Sequence, residues 1–109
     1  MLPRFLRLNR TQTRVVAKTG QRIHTPLFDL TYSIVPNTTT HWMIVVAKKQ
    51  VRFAHARNRL KRLMSEALLP LIKHTTKPIQ AVIKIKAAPN TSLDQFTTIL
   101  TDVLRKIET

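Results

Sequence analysis

Ala54-His55-Ala56-Arg57-Asn58-Arg59-Leu60-Lys61-Arg62-Leu63-Met64-Ser65-Glu66-Ala67-Leu68-Leu69 decides the fold, because two patterns run through it at once. Placed about 100° apart, Ala56, Leu60, Leu63, Met64, Ala67 and Leu71 fall within an arc of roughly 100°, which predicts an amphipathic helix over 54–69. Pro70 is expected to end or kink it, since proline removes an amide donor and crowds the carbonyl of Glu66, and Leu71 and Ile72 then fall in a separate turn. The outer side is cationic. Lys48, Lys49, Arg52, Arg57, Arg59, Lys61 and Arg62 supply seven basic residues in the fifteen positions 48–62, with no acid among them. Asn58, Arg59, Lys61 and Arg62 project away from Leu60, while Arg57 lies at the border, where its aliphatic stem can cover apolar neighbours. Glu66 follows Arg62 by four positions and is expected to pair with it. The other cations have no partner along the helix and repel one another. A polyanion that neutralises them is the economical account, because arginine forks grip phosphate oxygens bidentately; a solvated helix face is the alternative.

Working outward, Phe28, Leu30, Tyr32 and Ile34 alternate with Asp29, Thr31 and Ser33, a half-buried strand over 27–35. Pro36-Asn37-Thr38-Thr39-Thr40 breaks the pattern, and 41–47 is rich in β-branched residues, so a hairpin of these two strands is expected. In a third strand over 79–86, Ile79, Ala81, Ile83 and Ile85 alternate with Gln80, Val82, Lys84 and Lys86, whose lysines are expected to face solvent. A short helix over 12–19 precedes the strands. The last helix opens at Ser92, with Gln95 in capping-box spacing and Asp94 in the first turn, and buries Phe96, Leu100, Val103, Leu104 and Ile107. The order helix, strand, strand, helix, strand, helix predicts an α+β fold, a two-layer sandwich with helices over one face of a single sheet.

At 109 residues and 43% hydrophobic content, one domain over 1–109 is expected. The formal charge is +14, and it is polarised: residues 1–62 hold thirteen cations against Asp29, while residues 63–109 hold six against four acids. Such a field points to nucleic acid, ahead of an anionic membrane or an acidic protein. The absence of cysteine removes disulfides, thiolate metal sites and a cysteine nucleophile. No run of about 18 apolar residues is present, and Arg4 and Arg7 interrupt any secretory core, so a cytoplasmic protein is expected. An Arg-rich, acid-poor start also occurs in organellar transit peptides, but its removal would leave too little chain for a comfortable domain.

The stretch 56–67 resembles the signature helix of the bacterial ribonuclease P protein component. Val45-Val46-Ala47-Lys48-Lys49 resembles the strand and paired lysines that precede that signature. Lys18-Thr19-Gly20, followed by Pro26-Leu27-Phe28-Asp29-Leu30-Thr31-Tyr32, is similar to the family's first helix end and first strand, so the resemblance covers nearly the whole chain in matching order. It implies a mixed sheet with a left-handed βαβ crossover, against the usual hand. It also implies a small basic subunit that binds a catalytic RNA, the assembly removing the 5′ leader of precursor tRNA. The residues it assigns to RNA are Lys48, Lys49, Arg52, Arg57, Asn58, Arg59, Lys61 and Arg62, with the single-stranded leader in a cleft between the sheet and the first helix. Thr13, Val16 and Ala17 stand where family members commonly carry aromatic residues. For that cleft Val16, Phe28 and Tyr32 are the candidates, although Phe28 and Tyr32 could also be core, and for Phe28 core is the favoured reading. The family's usual glycine after the lysines is absent, and Ser65 stands where an arginine is usual.

The four histidines lack metal-site spacing, and there is no paired-acid motif or glycine-rich phosphate loop, Gly20 being the one glycine. The polypeptide alone is therefore expected to be non-catalytic and to hold no metal. Mg2+ is expected in the RNA-containing holoenzyme, with no membrane partner and no small-molecule substrate. A ribosomal-type structural RNA-binding protein is the alternative, and a DNA-binding regulator ranks below it because no tight helix-turn-helix precedes Lys48.

Overall fold

Four strands and three helices form the chain in a computed structural model that describes residues 6–36, 40–49, 51–73, 75, 77–86 and 90–108. In order they are α1 (Arg10–Thr19), β1 (Gln21–His24), β2 (Phe28–Ile34), β3 (His41–Val46), α2 (Ala54–Ile72), β4 (Ile79–Ile85) and α3 (Leu93–Glu108). The expected helix at 12–19 begins two residues earlier, because Asn9 and Gln12 form a capping box: the Gln12 amide donates to Asn9 Oδ1 at 2.8 Å and the Asn9 amide to Gln12 Oε1 at 3.0 Å.

The sheet order is β1-β2-β4-β3, with β3 parallel and β2 antiparallel to β4. The expected β2–β3 hairpin does not form. Between them lies β4, whose Ile79, Gln80, Ala81, Ile83 and Ile85 are all buried. A strand covered on both faces takes the centre of a sheet, where it pairs on both sides. The β2–β3 connection passes its N-terminal end, with the Val35 amide donating to Pro78 O at 3.0 Å. Only a crossover can make β3 and β4 parallel, and α2 supplies it. Strand β1 escaped the sequence pattern because Ile23 is its one apolar side chain. It is a four-residue edge strand, joined to β2 by a tight turn in which the Thr25 amide donates to Phe28 O.

Strand parity divides the sheet. Phe28, Leu30, Trp42, Val46, Ala81, Ile83 and Ile85 face α2 and α3, packing with Leu60, Met64, Leu68, Phe96 and Leu100 into one core. Each such Leu, Ile or Phe contributes about 1.5–3 kcal/mol through burial. All five core positions expected on α3 are buried, and its Ser92–Gln95 capping box is present. Helix α2 continues through Pro70 to Ile72 instead of stopping at Leu69. Pro70 and Glu66 are both exposed, so water can take the carbonyl that proline leaves unbonded, while Leu71 and Ile72 still pack on the core. Helix α1 crosses the opposite face instead of joining the α2–α3 layer: it contacts β2 and β4, and its one buried side chain, Val16, lies outside the α2–α3 core.

Candidate nucleic-acid interface

Strand β3 delivers Val46 beside Ile85, and the chain then turns, with the Val51 amide donating to Ala47 O at 3.2 Å. Val51 is buried in the core and anchors this turn, which leaves Lys48, Lys49 and Arg52 exposed at the start of α2. The first turn of α2 contains no acid, and Phe53 at its N-cap makes no side-chain capping bond. The positive end of the helix dipole and its free amides therefore face a cluster of cations, an arrangement that favours an anion.

Along α2 the exposed line runs His55, Asn58, Arg62, Glu66 and Pro70, so the positive ridge is confined to the N-terminal half. Asn58 and Arg62 are exposed and Lys61 is half-buried. The expected Arg62–Glu66 ion pair is absent. Both side chains are exposed, and a cation placed N-terminal to its acid is the weaker orientation on a helix.

Two arginines expected to face RNA are turned toward the protein. Arg57 Nη1 donates to Val51 O at 2.9 Å and to Arg52 O at 2.8 Å, stapling the Lys48–Arg52 turn to α2. Arg59 Nη1 reaches Thr91 O at 3.4 Å, across to the loop before α3. Backbone carbonyls of the flanking loops capture both guanidinium groups, which helical projection alone does not reveal. Among the described residues, Lys48, Lys49, Arg52, Lys61 and Arg62 hold no ion pair.

A second concave surface lies on the sheet face that α1 crosses. Ala17 of α1 with Arg22, His24, Asp29, Thr31, Val82 and Lys84 lines a cavity of about 320 Å³. Asp29 Oδ1 accepts from Lys86 Nζ at 2.8 Å and lies 3.0 Å from His24 Nδ1. These bonds, Lys86 first, hold the Asp29 carboxyl below its ordinary value. The one acid in the basic half is thus engaged by Lys86 and His24, and Arg22 and Lys84 leave the groove positive. Because Lys84 is in register with Val45, three residues before Lys48, groove and cationic turn share one end of the sheet.

The three residues proposed from sequence for a cleft do not line this groove. Phe28 is 0% exposed and Tyr32 is half-buried, both on the α2–α3 side of β2, where the Tyr32 hydroxyl donates to Gln21 Oε1 at 2.9 Å. Val16, 1% exposed, fills the space between α1 and the sheet. The aromatic side of β2 is also its most apolar side, so it was claimed by the core, and the opposite parity makes the groove. The signal was present in Thr31 and Lys84, which alternate with the buried set. Among the described residues no group of three His, Asp or Glu could hold a metal, and no helix is long and apolar enough to cross a membrane.

Residues 2–108 match the family described as Ribonuclease P. The fold is similar to the RNase P protein from Thermotoga maritima, with TM-score 0.81 at 21% identity, covering 94% of this chain and 98% of that one. It is also similar to the Staphylococcus aureus RNase P protein, with TM-score 0.79 at 19% identity over 94% and 95%. No curated protein matches in sequence.

Proposed function

Because the chain belongs to the ribonuclease P family and is a protein subunit of that endoribonuclease, we propose that its α2 ridge docks the catalytic RNA and that the groove under α1 receives the 5′ leader of precursor tRNA. The observation that carries this reading is the acid-free cluster at the start of α2, where Lys48, Lys49, Arg52, Lys61 and Arg62 have no carboxylate partner among the described residues. Phosphates supply the missing counter-charges, and each one neutralised releases condensed cations from the RNA.

Arg57 and Arg59 serve docking indirectly, by fixing the turn and the α3 loop against α2. The groove fits a single strand better than a duplex, being a narrow concavity with Arg22 and Lys84 placed for backbone phosphates. Mg2+ of the holoenzyme would be held chiefly by the RNA and the scissile phosphate, and the protein's part is to lower the repulsion between two polyanions. This work belongs in the cytoplasm, with the precursor pool.

Reconstitution tests the reading. The chain is mixed with a bacterial ribonuclease P RNA and precursor tRNA at low magnesium, where the RNA alone cleaves poorly. Restored cleavage at the mature 5′ end is expected. No restoration with any of several bacterial ribonuclease P RNAs would refute the proposed docking.

A further inference from the structure

Among the described residues, Phe53 is the most exposed large apolar side chain, at 66%. It sits at the N-cap of α2, where Ser, Thr, Asp or Asn would give the helix a capping bond, and it gives none. Its ring contributes neither to the core nor to the cap, so folding does not account for it. The ring is stacked on the His55 imidazole, with centroids 5.6 Å apart and planes 23° from parallel. Arg52 precedes it, and Lys48 and Lys49 stand on the turn that Arg57 staples to the same helix start.

Resting on the docking reading above, we propose that Phe53, backed by His55, is a platform on which one unpaired base of the catalytic RNA stacks while the neighbouring lysines and Arg52 hold its flanking phosphates. The combination fits a nucleotide in an unpaired segment. A base offers a flat π face and its backbone offers anions, whereas in a duplex the faces are covered by neighbouring pairs. The Phe53–His55 stack pre-orients the ring, so little side-chain freedom remains to be lost on binding. An apolar protein partner would gain the ring but would still face uncompensated cations.

The test measures the affinity of the full chain for a bacterial ribonuclease P RNA and for a fully paired RNA duplex, using wild type, Phe53→Ala and Phe53→Trp. Phe53→Ala is expected to weaken binding to the catalytic RNA between about 5- and 150-fold. Its slope of log affinity against log salt should match wild type, because no charge is removed. Phe53→Trp should restore affinity, and duplex binding should be unchanged in both variants. Thermal unfolding of Phe53→Ala checks that the exposed truncation leaves the fold intact. Equal affinity of wild type and Phe53→Ala for the catalytic RNA overturns the platform while docking stands. An equal loss on the duplex overturns base stacking as its basis. Failure of wild type to bind the catalytic RNA overturns the docking reading itself.

Discussion

Truncating Arg57 and Arg62 separately distinguishes a cation that holds the fold from one that faces RNA. Arg57 Nη1 donates to two carbonyls, Val51 O in a half-buried setting and Arg52 O in an exposed one. Hydrogen bonds from a charged donor contribute about 1.5–3 kcal/mol net, and water replaces the exposed one at little cost. Arg57→Ala should therefore lose about 1.5–3 kcal/mol in all, and for a chain of this size that lowers Tm by about 6–13 °C. Arg62 is exposed, without an ion pair, and Arg62→Ala should leave Tm nearly unchanged. On RNA the order reverses. If Arg62 neutralises one phosphate, its loss reduces the slope of log affinity against log salt by about 0.9. Arg57→Ala should weaken binding through a loosened turn with the slope retained. Calorimetry and filter binding at four or five salt concentrations give both readouts. An unchanged Tm for Arg57→Ala, with a slope reduced as much as for Arg62→Ala, would refute the reasoning: Arg57 would then leave its carbonyls and grip phosphate.

Gly20 joins α1 to β1, and a Cβ there would stand 2.6 Å from Val16 O and 2.9 Å from Tyr32 O. Both are backbone atoms that cannot swing aside, so Gly20→Ala should cost about 1–3 kcal/mol, read as a Tm drop of about 4–13 °C; a Tm equal to wild type would contradict the close approach of α1 to β2. Asp29 is held below its ordinary value near 3.8 by Lys86 and His24. A depressed carboxylate stabilises the fold above its unfolded value, and that contribution is lost as pH falls through the folded value. The stability gap between wild type and Asp29→Asn should thus level off above about pH 5 and shrink below it, as urea unfolding at stepped pH would show; a gap that persists unchanged into strong acid would exclude the pairing.

Local signals carried the helices well and the sheet badly. Ser92, Gln95 and the apolar stripe specify α3 without help from the rest of the chain, and every buried position on it follows from period alone. Strand β4 shows the opposite case. Its alternation identifies it as a strand, yet its place between β2 and β3 depends on what covers its second face, and that cover is α1, far away in sequence. The same fact explains the misplaced cleft. With one helix-covered face assumed, the polar residues of β2 and β4 read as solvent-facing, whereas α1 turns Thr31 and Lys84 into the wall of a groove.

The distribution of acids explains which cations remain outward. With Asp29 the one carboxylate in residues 1–62, and already engaged by Lys86 and His24, a guanidinium in this half has no free carboxylate close in sequence to take its donors. Arg57 and Arg59 lie near backbone carbonyls of flanking loops and donate to them. Arg62 projects from the middle of α2, where the helix uses its own carbonyls, and so keeps its donors free. The scarcity of acid thus divides one run of similar residues into staples and phosphate contacts by position. It follows that Ser65, with its hydroxyl donating to Lys61 O and its side chain buried, does not extend the ridge. The cationic surface ends one turn earlier, at Arg62, and Glu66 marks its boundary on the exposed face.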